Sequence, residues 1–256
     1  MIGASTPVLI TRPAEQGGRT VARFAAAGYV PTHVPCIELA PPPDPATLRL
    51  AAERVGTYDW VVFTSQNAVE RLRAEAVLAL PKVAAIGPET ARAFERAFGR
   101  KAELVPTSHR AEGLTTELLG ALGSQPRRIA LFRAERGRDV LPLALAAAGH
   151  ELDVVITYSV RPARGEAARL ATWLRAHAAT PPTAWIVLAS SLTVESFFEL
   201  AGHEGLTASA LGRAFRFACI SPVTERTLAD HGIAGALVAA EHTLDGLLRA
   251  LSTAPR

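Results

Sequence analysis

The sequence predicts two similar α/β domains, each a parallel sheet covered by helices on both faces. Three observations predict them. Short apolar runs alternate with helical stretches, the pattern of strands and helices recurs as an internal repeat, and 256 residues suffice for two cores of about 120 residues each.

The first repeat unit opens on the apolar run Pro7–Ile10, short enough for a strand buried on both faces. Residues 14–27 have helical character and stop at Gly28, the residue type that most readily ends a helix in left-handed conformation. Residues 29–34 form a second strand. Residues 9–37 align without gaps on 130–158, placing Arg12 on Arg133, the run Ala25-Ala26-Ala27-Gly28 on Ala146-Ala147-Ala148-Gly149, and Val34 on Val155.

The second unit offers a strand at Trp60–Phe63, a helix from about Asn67, a strand at 82–86, a helix over Pro88–Phe98, a strand at 102–105 and a helix from about Glu112. Its copy aligns Trp60 with Trp185, Ser65 with Ser190, Val69 with Val194 and Glu70 with Glu195. Further on, Ile86-Gly87-Pro88 matches Ile220-Ser221-Pro222, Thr90 matches Thr224, and His109 and Gly113-Leu114 match His242 and Gly246-Leu247. Strands alternating with helices imply parallel sheets. Pro-rich linkers follow both copies of the first unit, at 40–45 and 161–165. A domain needs one unit of each kind, and the repeats permit adjacent or distant partners equally.

Composition narrows the function. The hydrophobic fraction of 49% and charged fraction of 20% are those of a globular chain. Net charge is +3 and the pI about 9.2, but the cations are interleaved with Asp and Glu, which argues against a nucleic-acid platform and still suits an acidic small molecule. The two cysteines, Cys36 and Cys219, form no C-x-x-C pair or disulfide framework, and no run of about 18 apolar residues occurs, so a cytoplasmic protein without membrane insertion is expected. Phosphate-loop, dinucleotide and G-x-S-x-G signatures are missing, and the histidines show no metal-ligand spacing, so neither cofactor nor metal is expected.

Open parallel sheets bind ligands beyond the carboxyl ends of their strands. In this chain Arg12, Thr64, Ser65 and Thr90 fall there in the first copies, and Arg133, Arg138, Ser190, Ser191, Ser221 and Thr224 in the second. A Ser or Thr before a helix caps it, and the N–H groups behind the cap, at the positive end of the helix dipole, attract anions. The plain reading of these hydroxyls is capping alone; for the arginines of FRAERGR it is a solvated helix start. The sharper reading is carboxylate binding, for which Arg offers a two-pronged donor. Tyr158, where the copied first unit runs into its linker, is a further candidate.

These residues resemble the uroporphyrinogen-III synthase family from about residue 7 to residue 250. The marks are Leu9-Ile10-Thr11-Arg12-Pro13, Phe63-Thr64-Ser65 with Ala68-Val69, Ile86-Gly87-Pro88 with Thr90-Ala91, Glu112-Gly113-Leu114, Arg133 with Gly137-Arg138, and Val155-Ile156-Thr157-Tyr158. The chain departs from the family's habit at Gln66-Asn67 and at Ser221.

The resemblance implies two flavodoxin-like domains interleaved in sequence, 1–36 with 163–256 and 40–160. They would face each other across a cleft and be joined by connector strands near 35–41 and 157–163. It implies a cofactor-free lyase of tetrapyrrole biosynthesis that closes linear hydroxymethylbilane into a ring, inverts the last pyrrole and releases water. Tyr158 would assist the departing hydroxyl, and the other ten residues would bind the anionic substrate. The expected protein is a monomer with at most transient contact with the enzyme supplying its substrate. A non-enzymatic two-domain sensor of an acidic small molecule is the alternative.

Overall fold

The computed structural model describes residues 6–77 and 79–254. In chain order the strands are β1 (Pro7–Ile10), β2 (Val30–His33), β3 (Ile37–Ala40), β4 (Trp60–Phe63), β5 (Lys82–Ala85), β6 (Arg128–Ala134), β7 (Glu151–Pro162), β8 (Trp185–Leu188), β9 (Arg216–Cys219) and β10 (Leu237–Val238). The α-helices are α1 (Ala14–Ala26), α2 (Pro45–Glu53), α3 (Gln66–Ala74), α4 (Pro88–Phe98), α5 (Ala111–Leu122), α6 (Val140–Ala147), α7 (Ala167–His177), α8 (Ser191–His203), α9 (Ala208–Ala214), α10 (Pro222–Asp230) and α11 (Leu244–Thr253).

Two compact units result. One combines the chain up to Glu38 with the chain from Arg161 onward, and the other spans Leu39–Val160. The first sheet has the order β10-β9-β8-β1-β2 and the second β3-β7-β6-β4-β5. β1 pairs in parallel with β8, and β4 with β6. The first copy of the first unit therefore joins the distant copy of the second, and the copied first unit joins the second unit just before it, which closes the choice the repeats left open. Apart from the edge strands β3 and β10, the two sheets repeat each other strand for strand.

Residues on alternate sides of each strand enter different cores, as a pleated strand requires. In the first unit Leu9, Ile186, Leu188 and Phe217 pack with Leu170, Leu174 and Phe197 of α7 and α8, while Val8, Ile10, Val187 and Ala218 pack with Phe24 of α1 and Leu247 of α11. In the second, Val61, Phe63, Ala130 and Phe132 pack with Leu72 and Phe94 of α3 and α4, while Trp60, Val62, Ile129 and Leu131 pack with Leu118 of α5 and Leu145 of α6. Both sheets are thus covered on both faces, and the central strands β1, β4 and β8 read as continuous apolar runs for that reason.

The repeat extends to side chains. Trp60 lies in register with Lys82, whose ammonium sits 5.7 Å from the indole centroid, and Trp185 lies in register with Arg216, whose guanidinium sits 5.6 Å from its indole. Gly113 and Gly246 are each the third residue of a helix that follows a tight turn. A Cβ there would stand 2.3 Å from the Ser108 carbonyl oxygen and 2.1 Å from that of Glu241. The glycine is kept twice because the same turn folds twice.

The strand expected at 102–105 is reduced to a single bridge, Leu104 with Ala84. It lies beside β5 at the edge of its sheet, where the two-residue β10 stands in the other unit. The Pro-rich stretch read as a linker at 40–45 leads directly into α2: Asp44 caps that helix and Pro45 opens it, the position where a missing N–H costs nothing.

Candidate functional site

The carboxyl end of the second sheet carries the richest chemistry. β4 ends at Phe63, and the chain continues through Thr64 to Ser65 in extended conformation before turning into α3. Ser65 Oγ accepts the Ala68 N–H at 3.1 Å, one of the free donors at the helix start. The same oxygen accepts the Tyr158 hydroxyl at 3.1 Å.

Tyr158 reaches Ser65 because β7 is irregular. Arg133 pairs with Ile156, but the next residue, Ala134, pairs with Tyr158, so Thr157 is an extra residue in the ladder. A regular strand would send residues 155 and 158 to opposite faces; one inserted residue brings both to the same face, where both join the core of Phe63 and Phe132. Thr157 is fully buried and donates its hydroxyl to the Arg133 carbonyl at 3.0 Å, and the Glu135 N–H donates to the Tyr158 carbonyl at 2.9 Å. Tyr158 is 6% exposed and belongs to the interior of one unit.

Beside the Ser65–Tyr158 pair lies a cavity of about 380 Å³, floored by Ile86, Leu114 and Leu131 and walled by Thr64, residues 109–111 and the loop from Arg133 to Arg138. Arg133 is a strand residue with its side chain only 13% exposed, so the expected solvated helix start is corrected: α6 begins later, at Val140. Its guanidinium holds the loop through Asp139 at 3.0 Å and the Arg138 carbonyl at 3.1 Å, and its Nε is buried without a partner. Arg138 grips the Glu112 carboxylate with both prongs, at 2.6 and 3.2 Å. The Arg138 hydrogen bonds, and a smaller contribution from its own N–H, hold the Glu112 carboxyl below the usual carboxylate range.

Thr90 is 4% exposed in the first turn of α4, whose capping position is Gly87 and lacks a capping side chain. A Cβ at Gly87 would meet His109 Cβ at 3.2 Å, a close contact.

The first unit presents a matching set at its own strand ends. Ser190 caps α8 through the Thr193 N–H, and Ser221 caps α10 through the Thr224 N–H, at 3.2 and 3.3 Å. Thr227, in the second turn of α10, donates to Ser191 at 2.7 Å and ties that helix to the start of α8. Arg12 follows β1, the strand beside β8; its Nε, like that of its repeat partner Arg133, is buried without a partner. Burial, and then the like charge of Arg19, pull its guanidinium below its ordinary value. Among the described residues no cluster of His, Cys, Asp or Glu could hold a metal ion, and no helix is long and apolar enough to cross a membrane.

The sequence model of the family described as uroporphyrinogen-III synthase HemD matches residues 18–249. The chain belongs to the uroporphyrinogen-III synthase family. The uroporphyrinogen-III synthase of Synechococcus elongatus is 30% identical over 255 residues, covering 95% of this chain and 93% of its own. Two solved structures share the fold. A mutant uroporphyrinogen III synthase from the extremely thermophilic bacterium Thermus thermophilus superposes with a TM-score of 0.58 at 21% identity, covering 98% of this chain and 100% of that one. Uroporphyrinogen-III synthetase from Helicobacter pylori superposes with a TM-score of 0.59 at 16% identity, covering 97% and 99%.

In this uroporphyrinogen-III synthase family member, Thr64, Ser65, Arg133, Arg138 and Tyr158 line one cavity. Thr90 lies on the neighbouring helix start, outside that lining. Arg12, Ser190, Ser191, Ser221 and Thr224 belong to the other unit. Residue-by-residue reading of the sequence missed two participants: Glu112, which occupies Arg138, and Asp139, which occupies Arg133. Glu112 was visible as a mark of the family and as an acid in the first turn of a helix; its partner lies 26 residues away and left no local signal.

Proposed function

We propose that this protein is a cofactor-free lyase that closes linear hydroxymethylbilane into uroporphyrinogen III, inverting the last pyrrole and releasing water. Family membership supports the reaction class. The observation that carries the site is the Tyr158 hydroxyl bonded to Ser65 on the wall of a cavity with arginines at its mouth. At about 380 Å³ the cavity is near the small end of ligand pockets, roughly 300–1,000 Å³, and admits part of a tetrapyrrole rather than the whole.

The reacting end is the part that needs enclosure. Departure of the terminal hydroxyl requires a proton or a strong hydrogen bond and leaves a cationic azafulvene. Tyr158 supplies the hydrogen bond. The substituted carbon of the last ring then attacks, giving a spiro intermediate that fragments and closes inverted. Much of the catalytic task is to hold the chain in that conformer, an orientation effect. The hydroxyls and helix starts of both units, with Arg12, Arg133 and Arg138, suit the acetate and propionate groups that every ring carries. The free, buried thiols of Cys36 and Cys219 support a reducing cytoplasmic setting.

The test is to supply freshly made hydroxymethylbilane and separate the products by isomer. Type III product formed faster than spontaneous closure is expected. Type I product alone, at the spontaneous rate, would overturn the proposal.

A further inference from the structure

Arg133 and Arg138 bracket one loop, yet their carboxylate partners differ in kind. The Arg133 side chain is 13% exposed and divided between the Asp139 carboxylate and a main-chain carbonyl, so it sets the course of the loop. The Arg138 side chain is 63% exposed, and its partner Glu112 is 56% exposed. Their contact is fork to fork, Nη1 to Oε1 and Nη2 to Oε2, the geometry in which arginine recognises any carboxylate. Arg138 also lines the cavity. In the free protein a carboxylate of the chain itself therefore fills a carboxylate-recognising fork at the cavity mouth.

We propose that Glu112 is an affinity- and specificity-setting latch: it occupies Arg138 until a substrate side-chain carboxylate exchanges with it, freeing the loop of residues 135–139 from α5. This proposal rests on the functional reading above.

Two features make the exchange cheap. The pair is open to water, and exposed ion pairs contribute little net stability. Glu112 also lies in the first turn of α5 and bonds its own N–H, so after leaving Arg138 its negative charge is still favoured by the positive end of the helix. Arg138 stays paired on both sides of the exchange, with Glu112 before and with the ligand after. The latch also selects. A ligand with one weakly placed carboxylate must displace Glu112 for no net gain, whereas a polycarboxylate already held at other points performs the exchange within the complex, at high effective concentration.

The experiment uses the full chain and two readouts: binding of uroporphyrin III, the oxidised product, followed by quenching of tryptophan fluorescence, and KM for hydroxymethylbilane. Glu112→Gln removes the competing charge and keeps the size of the side chain. It is expected to bind about two- to fivefold more tightly, the range of an exposed ion pair, with KM falling alongside and kcat little changed. Arg138→Gln is expected to bind more weakly. Glu112→Gln/Arg138→Gln is expected to match Arg138→Gln, because Glu112 acts only through Arg138. Unchanged or weaker binding by Glu112→Gln overturns the latch. So does a Glu112→Gln gain that persists when Arg138 is absent, which would mark simple repulsion between Glu112 and the anion. A wild-type protein that neither binds the porphyrin nor turns over the bilane sinks the functional reading, and the latch with it.

Discussion

The hydroxyl of Tyr158 and the Oγ of Ser65 lie 3.1 Å apart although 93 residues separate them, and the same Oγ caps α3. One oxygen thereby joins the cap of a helix, the end of a central strand and the ring hydroxyl on the cavity wall.

Tyr158→Phe removes the hydroxyl and leaves the ring packed against Phe63 and Phe132. Thermal stability is expected to change little, and kcat for type III product to fall about a hundredfold, the lower reach of acid–base assistance. Turnover equal to wild type would strike Tyr158 from the catalytic residues.

Ser65 has two duties that substitution can separate. Ser65→Ala is expected to cost about 1 kcal/mol in a denaturant unfolding experiment through loss of the cap, and to lower kcat as well. Asn caps as well as Ser, so Ser65→Asn is expected to recover most of the stability and not the turnover. Equal recovery of both would show that only the cap matters.

Arg12 carries a buried Nε without a partner and a charge disfavoured by burial and by Arg19. Arg12→Met is expected to raise the melting temperature of the free protein and to weaken binding of the anionic product. A fall in both would assign Arg12 to structure alone.

Gly113→Ala and Gly246→Ala each drive a methyl into a carbonyl oxygen, at 2.3 and 2.1 Å. Each is expected to destabilise by about 1–3 kcal/mol, as overpacking does. Gly120, also in α5, has open space around it, and Gly120→Ala is expected to stabilise by about 0.5–1 kcal/mol through helix propensity. Chemical denaturation of the three variants checks the contrast.

Burial pushes both thiols up, Cys219 to about 12 and Cys36 further. Native protein at pH 8 is expected to resist thiol reagents that label both residues after unfolding. The folded state keeps these protons where the unfolded chain releases them, so their contribution to stability is complete below the ordinary thiol range and is lost as pH rises through it toward 12. The unfolding midpoint is expected to fall between pH 8 and pH 10, and Cys36→Ala/Cys219→Ala is expected to lessen that fall.

Signals acting over a few neighbouring residues marked most of the strands and several helix starts, though not α2, α7 or α9. The apolar runs marked the strands, the Pro after Gly87 and after Ser221 marked two helix starts, and Ser65, Ser190 and Ser221 all cap as their positions require. These features are legible in the sequence because period, cap and turn are local. They also placed the hydroxyls at strand ends, and the order of the family's marks pointed to the reaction class.

Which strands meet, and which charges are already spoken for, became visible only in the folded chain. Either copy of a buried parallel strand satisfies the same local pattern, so nothing near β1 could reveal that its partner is β8, whose Val187 carbonyl accepts the Thr11 hydroxyl across 176 residues. The extra residue Thr157 looks like any strand threonine until its ladder with β6 slips and turns Tyr158 toward Ser65. Arg133 and Arg138 read as free cations in the sequence, because the carboxylates that occupy them are fixed by packing. Spacing along the chain carries no record of that choice.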